Sequence, residues 1–91
     1  MKDDDLSRVF AINSEVAHRE IEGQILILRP DDNFLYTLNG SGRLIWLGIV
    51  KKKKLSTIIK NVSKEFGISD ETARSDVLAF VSELEAKGII L

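Results

Sequence analysis

The stretch FLYTLNGSGRLIW, residues 34–46, contains the transition on which the fold depends. Its first five residues are rich in aromatic and β-branched side chains, which is typical of a β-strand. After Asn39-Gly40-Ser41-Gly42, apolar residues recur at helical spacing. The stretch therefore predicts a strand that turns directly into a helix, with Asn39 as the N-cap and the glycines in the first turn.

Two more strands are predicted upstream of this junction. Residues 16–21 alternate in character, Glu22-Gly23 supplies a turn, and the run ILIL occupies residues 25–28. Four consecutive branched aliphatic residues predict a central strand with both faces covered. A cluster of turn-forming residues, RPDDN at 29–33, then separates this strand from the next. The sequence thus predicts three antiparallel strands.

Two more helices are predicted downstream of residue 50. The first is indicated by apolar residues at helical spacing, and Gly67 stands where that helix should end. Ser69 is expected to cap the second, which carries acidic residues in its first turn. The predicted core stripes are Leu55, Ile58, Ile59, Val62 and Phe66 on one helix and Ala73, Val77, Phe80 and Leu84 on the other. The predicted class is α+β, with a three-stranded antiparallel sheet followed by three helices in a winged helix-turn-helix-like order.

Length and composition fit one compact domain. The chain has 91 residues, 44% of them apolar and 30% charged, and it contains no cysteine. This composition excludes disulfides and thiolate metal sites, and no apolar run approaches the about 20 residues of a membrane span. We expect a cytoplasmic protein with a folded domain at 15–91. Residues 1–14 are expected to be an arm that is either loose or paired as a short strand.

The charge distribution is uneven although the net charge is only −1. Residues 43–64 hold seven basic residues and no acidic residue, and the centre of this band is the run from Lys51 to Lys54. Such a band could attract phosphates or an acidic peptide. The alternative is a solvated turn that keeps the protein soluble. The sequence leaves both interpretations open.

Residues suited to catalysis are scarce. His18 has no second histidine to complete a metal set, and Asp3-Asp4-Asp5 is typical of a solvated terminus. The NGSG segment lacks the lysine of a phosphate loop and the repeated strand–helix units of a dinucleotide fold. We therefore predict no enzyme activity, no metal and no cofactor.

DNA binding is the main alternative, since residues 55–91 have the outline of a helix-turn-helix. The exposed start of the last predicted helix would then contact DNA. That surface offers Asp70, Glu71 and Asp76 against the single base Arg74. Because affinity for DNA depends on positive charge, this surface is a poor match for phosphate, and we expect nucleic-acid binding to be unlikely.

The order of elements and several segments together resemble one family. The segments are ILRPDDNFLYTLNGSGRLIW at 27–46 and LSTIIKNVSKEFGISDETARSDVLAFVSELEAKGIIL at 55–91. They resemble the PqqD-like family (pyrroloquinoline-quinone biosynthesis protein D-like), whose domains are also called RiPP precursor peptide recognition elements. The chain departs from many members at the loop after the first helix, where it has lysines instead of an Asp-Gly turn.

The resemblance implies a non-catalytic adaptor that binds the leader region of a ribosomally synthesised precursor peptide. The implied partners are that peptide and a separate modifying enzyme such as a leader peptidase, a cyclase or a radical enzyme, with no membrane. The leader is expected to add as a strand beside the third strand, with its side chains in a groove against the last helix. The expected peptide-binding residues are Phe34, Leu35, Tyr36, Thr37 and Leu38 on the strand and Arg74, Leu78, Val81 and Glu85 on the helix.

Overall fold

The structure, a computed structural model, describes residues 6–29, 31 and 33–91. The described residues form three strands followed by three helices, which confirms the predicted class and order. The elements are β1 (Ala17–Ile21), β2 (Gln24–Arg29), β3 (Phe34–Leu38), α1 (Gly40–Val50), α2 (Leu55–Phe66) and α3 (Asp70–Ala86). None of these helices is long and apolar enough to cross a membrane.

The three strands form an antiparallel sheet in the order β1-β2-β3. A two-residue turn joins β1 to β2, with φ of 51° at Glu22 and 80° at Gly23. Two consecutive positive φ angles match the type I′ turn, whose twist suits a hairpin. Of the turn predicted at 29–33, Pro30 and Asp32 lie outside the described residues.

Within residues 6–29, 31 and 33–91, only one face of the central strand β2 is covered. Ile25 and Ile27 are buried against the helices, whereas Leu26 is half-buried and Leu28 is exposed on the opposite face. The prediction that both faces are covered is therefore wrong. Four consecutive aliphatic residues show that a strand is apolar on both sides, but they do not supply a layer of structure to cover each side.

The junction between β3 and α1 depends on glycine more than on capping. Asn39 occupies the N-cap position, but its side chain accepts no hydrogen bond from the helix, contrary to expectation. Gly40, which follows it, has a φ of 57°, a left-handed conformation that costs glycine little. Gly67 and Ser69 behave as predicted: Gly67 ends α2 with a φ of 63°, and the Ser69 hydroxyl accepts from the Thr72 amide at 3.1 Å.

The core lies between the inner face of the sheet and the three helices, with Trp46 of α1 fully buried. Gly48 allows α1 and α2 to approach closely, since a Cβ atom there would lie 2.7 Å from Cγ1 of Ile58. Four of the five apolar residues predicted for the α2 stripe are buried. Phe66 is the exception, with 45% of its surface exposed at the end of the helix.

The N-terminal arm, described from residue 6, packs along the helices and pairs with the C-terminal tail. Phe10 is buried, Ile12 forms an antiparallel bridge with Ile90, and the Leu91 amide donates to the Ala11 carbonyl at 2.8 Å. The arm also caps α2. The amides of its first two residues, 55 and 56, donate to the carbonyls of residues 8 and 6. The arm therefore satisfies helix amides that would otherwise lack partners.

The loop after α1 stores backbone strain at Lys52. Its φ is 60°, and the Lys53 amide donates to the Gly48 carbonyl at 2.9 Å. This is the geometry of a helix end where glycine is the usual residue. Lys52→Gly should stabilise the protein by about 1 kcal/mol, because glycine adopts this conformation without a side-chain penalty. Urea unfolding of Lys52→Gly provides the test, with Lys53→Gly as the control because Lys53 has no positive φ. Equal unfolding midpoints for the two variants would contradict the prediction.

Candidate functional site

Among the residues that the structure describes, no strand pairs with the outer edge of β3. The register shows which backbone groups of β3 face outward at this edge. Ile21 and Gln24 flank the two-residue hairpin turn and therefore form a hydrogen-bonded pair. Successive residues of a strand direct their backbone groups to opposite sides, so Ile25 and Ile27 bond toward β3. Their partners on β3 are Leu38 and Tyr36. The amide and carbonyl groups of residues 35 and 37, which alternate with these two, consequently point outward from the sheet.

The free edge of β3 carries no charged side chain. Its sequence is FLYTL, whereas the other outer strand, β1, has the sequence AHREI. Charged residues on an edge strand discourage the pairing of another strand. Of the two sheet edges, β3 is therefore the one suited to accept an extended peptide.

A groove runs between β3 and α3 on the inner side of this edge. Tyr36 and Leu38 form one wall, Phe80 and Glu83 lie on the other, and Leu84 forms part of its floor. The remaining lining residues are Ile27, Lys87 and Ile89. Its volume is about 80 Å³, well below the about 300–1,000 Å³ typical of small-molecule pockets. The groove can accept side chains from an extended chain but not a nucleotide-sized ligand.

One end of the groove is held by polar contacts. Lys87 donates to Glu83 at 3.3 Å, and its ammonium group lies 6.0 Å from the centre of the Tyr36 ring. Arg29 of β2 donates to the Lys87 carbonyl at 2.6 Å and so ties the end of α3 to the sheet. Charge is confined to this end, while the walls and floor further in are apolar.

The NGSG segment lies beside two residues of the groove walls, Leu38 and Phe80. A Cβ atom on Gly42 would lie 3.5 Å from the tip of the Phe80 ring and 3.7 Å from Leu38 Cβ. The first turn of α1 therefore lies beside both walls, and a Cβ atom at residue 42 would make ordinary van der Waals contacts with them. The segment joins the exposed strand to its supporting helix.

Two neighbouring residues of α3 exchange the positions that were predicted for them. Val81, expected in the groove wall, belongs to the core with 3% of its surface exposed. Phe80, expected in the core stripe, is half-buried and lines the groove. The two side chains are separated by about 100° around the helix axis, so an error of that size in the assumed rotation of the helix exchanges them.

The other three residues predicted on α3 lie along its opposite flank. Arg74 lines a separate cleft of about 390 Å³ between the arm, α2 and the start of α3. Leu78 packs against the core, and Glu85 forms an ion pair with Arg8 of the arm. Their position gives no support to a role for these residues in the groove.

Three groove residues in and just after α3 were not predicted for the site, and they lie on one face of the helix. Phe80, Glu83 and Lys87 are spaced at i, i+3 and i+7, which places them on one face of α3. Of the residues predicted on the strand, Tyr36 and Leu38 line the groove. Leu35 and Thr37 lie on the outer face of the sheet. Phe34 begins β3.

The groove contains few side chains of the kinds that act as nucleophiles or metal ligands. Its side chains include no histidine, serine or cysteine, and no cluster of three metal-binding residues occurs within residues 6–29, 31 and 33–91. His18, the one histidine, packs edge-on against Trp46 with ring centres 5.2 Å apart. What the site provides is unpaired backbone groups beside an apolar groove.

Comparison with known proteins is consistent with this architecture. The family model described as Coenzyme PQQ synthesis protein D (PqqD) matches residues 24–90. A solved structure of TbiB1 in complex with the TbiA(beta) leader peptide is 20% identical, with a TM-score of 0.82 and coverage of 88% of this chain and 93% of that one. A lasso peptide synthetase B1 complexed with the leader peptide is 18% identical, with a TM-score of 0.83 and coverage of 92% and 99%. No curated protein matches the sequence significantly.

Proposed function

This chain belongs to the PqqD family, and we propose that it is a non-catalytic adaptor for a ribosomally synthesised precursor peptide. It binds the leader region of that peptide and presents the remainder to a separate modifying enzyme. The observation that carries the proposal is the uncharged free edge of β3 beside an apolar groove. Both solved structures of similar fold are of proteins in complex with leader peptides, which supports the same conclusion.

The leader binds as a fourth strand of the sheet. Its backbone pairs with the outward amide and carbonyl groups of Leu35 and Thr37, which gives affinity that depends little on sequence. Every second side chain of the leader enters the groove and packs against Tyr36, Leu38 and Phe80. The apolar walls therefore select a leader with aliphatic or aromatic residues at alternate positions.

The adaptor role is favoured over DNA binding by the charge of the helix-turn-helix. Helices α2 and α3 are joined by a short turn, as in DNA-binding proteins. The exposed start of α3 presents Asp70, Glu71 and Asp76, and the one basic residue there, Arg74, is half-buried. A surface of this charge repels the DNA backbone.

Amide hydrogen exchange with and without the precursor peptide tests the proposed site. The peptide encoded beside the gene for this protein is the natural probe, and the promoter DNA of the same gene is the control. We expect new protection at Leu35 and Thr37, whose amides face the free edge of β3 before binding. Tight binding of DNA without binding of the peptide would contradict the adaptor role.

The lysine run should act on the rate of association. Lys51 to Lys54 are all exposed, and they lie in the loop between α1 and α2, outside the groove. Exposed charges steer an acidic partner during approach but contribute little to a contact formed elsewhere. Replacing all four by glutamine should slow association with an acidic leader or enzyme at low salt by about ten-fold or more. Stopped-flow binding across ionic strengths provides the measurement; an unchanged rate at low salt would leave the run as a solvated turn.

A further inference from the structure

The outer face of the sheet is apolar and is not covered by any other described part of the chain. Ile21 and Leu28 are 41% and 39% exposed, and Leu35 is 54% exposed. With Leu26 and Arg19 they line a shallow depression that spans the three strands. An antiparallel sheet commonly has one solvated face, but that face is usually polar. Here the exposed apolar side chains are adjacent to one another and to the proposed leader-binding edge, which makes this face a candidate interaction surface.

The register arranges this face in rows that lead to the proposed leader-binding edge. Ala17, Leu28 and Leu35 are aligned across the sheet, and Arg19, Leu26 and Thr37 form the next row. A strand added beside β3 places its outward side chains directly after Leu35 and Thr37. The surface is then continuous from β1 to the bound peptide.

The size of the face argues against a stable pair of identical chains. Three strands of about five residues cover roughly 17 Å by 14 Å, or about 240 Å². A stable interface buries about 800 Å² on each partner. The face is thus suited to the apolar centre of a transient contact whose remaining area comes from the bound leader and from surrounding residues.

The charge on the face also disfavours a second copy. The outward residues of the three strands include one charged side chain, Arg19, and no acidic residue. If two copies met through this face, each Arg19 would be buried without a carboxylate opposite it, which is costly. The complementary partner has an apolar surface with at least one acidic side chain.

We infer that the modifying enzyme docks on the outer face of the sheet, through an apolar surface that places a carboxylate near Arg19. This inference rests on the proposed adaptor function, and it adds where the enzyme binds. An enzyme in that position contacts the outward side chains of the leader strand and the protein at once. It therefore distinguishes the loaded adaptor from the empty one.

The test uses the full chain, its precursor peptide and the purified modifying enzyme encoded beside it. The double variant Ile21→Ser/Leu28→Ser removes two apolar side chains from the face without substituting any residue of β3. Val50→Ser/Phe66→Ser is the matched control, because these residues are 40% and 45% exposed and lie on helices. Arg19→Glu reverses the charge on the face and leaves its apolar residues intact. Leader affinity, thermal unfolding and the rate of peptide modification are measured for each.

We expect all variants to bind the leader within about two-fold of the wild type. The rate of modification at limiting adaptor should fall at least ten-fold for the face variants and remain unchanged for the control. An unchanged rate for both Ile21→Ser/Leu28→Ser and Arg19→Glu would overturn the inference, as would a wild-type dimer that Ile21→Ser/Leu28→Ser dissociates. A wild-type protein that fails to bind the leader would instead refute the adaptor function.

Discussion

Thr37→Pro should weaken leader binding strongly while leaving the folded protein nearly as stable as the wild type. The Thr37 amide points to the free edge of β3, so proline there removes no hydrogen bond within the sheet. It does remove one donor to the leader and places ring carbons where the leader backbone should approach. A buried carbonyl left without its donor costs about 1–3 kcal/mol, or a factor of roughly 5–150 in Kd.

Two control variants separate this effect from damage to the sheet. Tyr36→Pro removes an amide that points toward β2, so it should lower the thermal midpoint. Thr37→Ala keeps the amide and should bind the leader normally. Calorimetric titration with the leader and thermal scans of the three variants provide the measurements. Normal leader binding by Thr37→Pro would mean that the peptide does not pair with this edge.

Substitutions at two adjacent residues of α3 should have different effects: a change at Phe80 should lower leader affinity, and a change at Val81 should lower stability. Phe80 lines the groove, whereas Val81 lies in the core. Phe80→Ala removes an apolar wall and should reduce leader affinity by about 2–3 kcal/mol, roughly 30–150-fold. Val81→Ala leaves a cavity in the core and should destabilise the protein by about 2 kcal/mol.

Fluorescence anisotropy with labelled leader and thermal unfolding together test this pair. Val81→Ala should bind the leader normally below its melting temperature, which should fall by roughly 8–16 °C. An aspartate at Val81 is unsuitable for such a test, because it would bury an unpaired charge and unfold the protein. If Val81→Ala lost affinity and Phe80→Ala did not, the groove would lie on the other flank of α3.

The sequence was informative where a local pattern has one physical solution. The Glu22-Gly23 turn, the Gly67 end of α2 and the Ser69 cap each depend on the conformational preferences of a few adjacent residues, and each appears as predicted. The strand half of the site follows from the same kind of pattern. Alternation along β3 determines that Tyr36 and Leu38 face the same side.

The helix half of the site depends on how α3 is rotated, which its own residues do not determine. Apolar residues occupy a wide arc of this helix, and the core takes the part that includes Val81 because the arm covers the neighbouring flank. The pairing of the arm with Ile90 joins segments that are far apart in the sequence. The error on β2 has the same cause, because the residues of a strand do not determine whether another element covers each of its faces.

The absence of charge along β3 has a consequence for how the protein behaves in solution. An unprotected edge of the sequence FLYTL can pair with the same edge of another molecule as readily as with a peptide. Concentrated protein without its peptide should therefore self-associate slowly through β3, whereas the charged edge at β1 remains inert. The leader then acts as a solubilising cap, and purification together with the precursor peptide should keep the protein monomeric at concentrations where the protein alone precipitates.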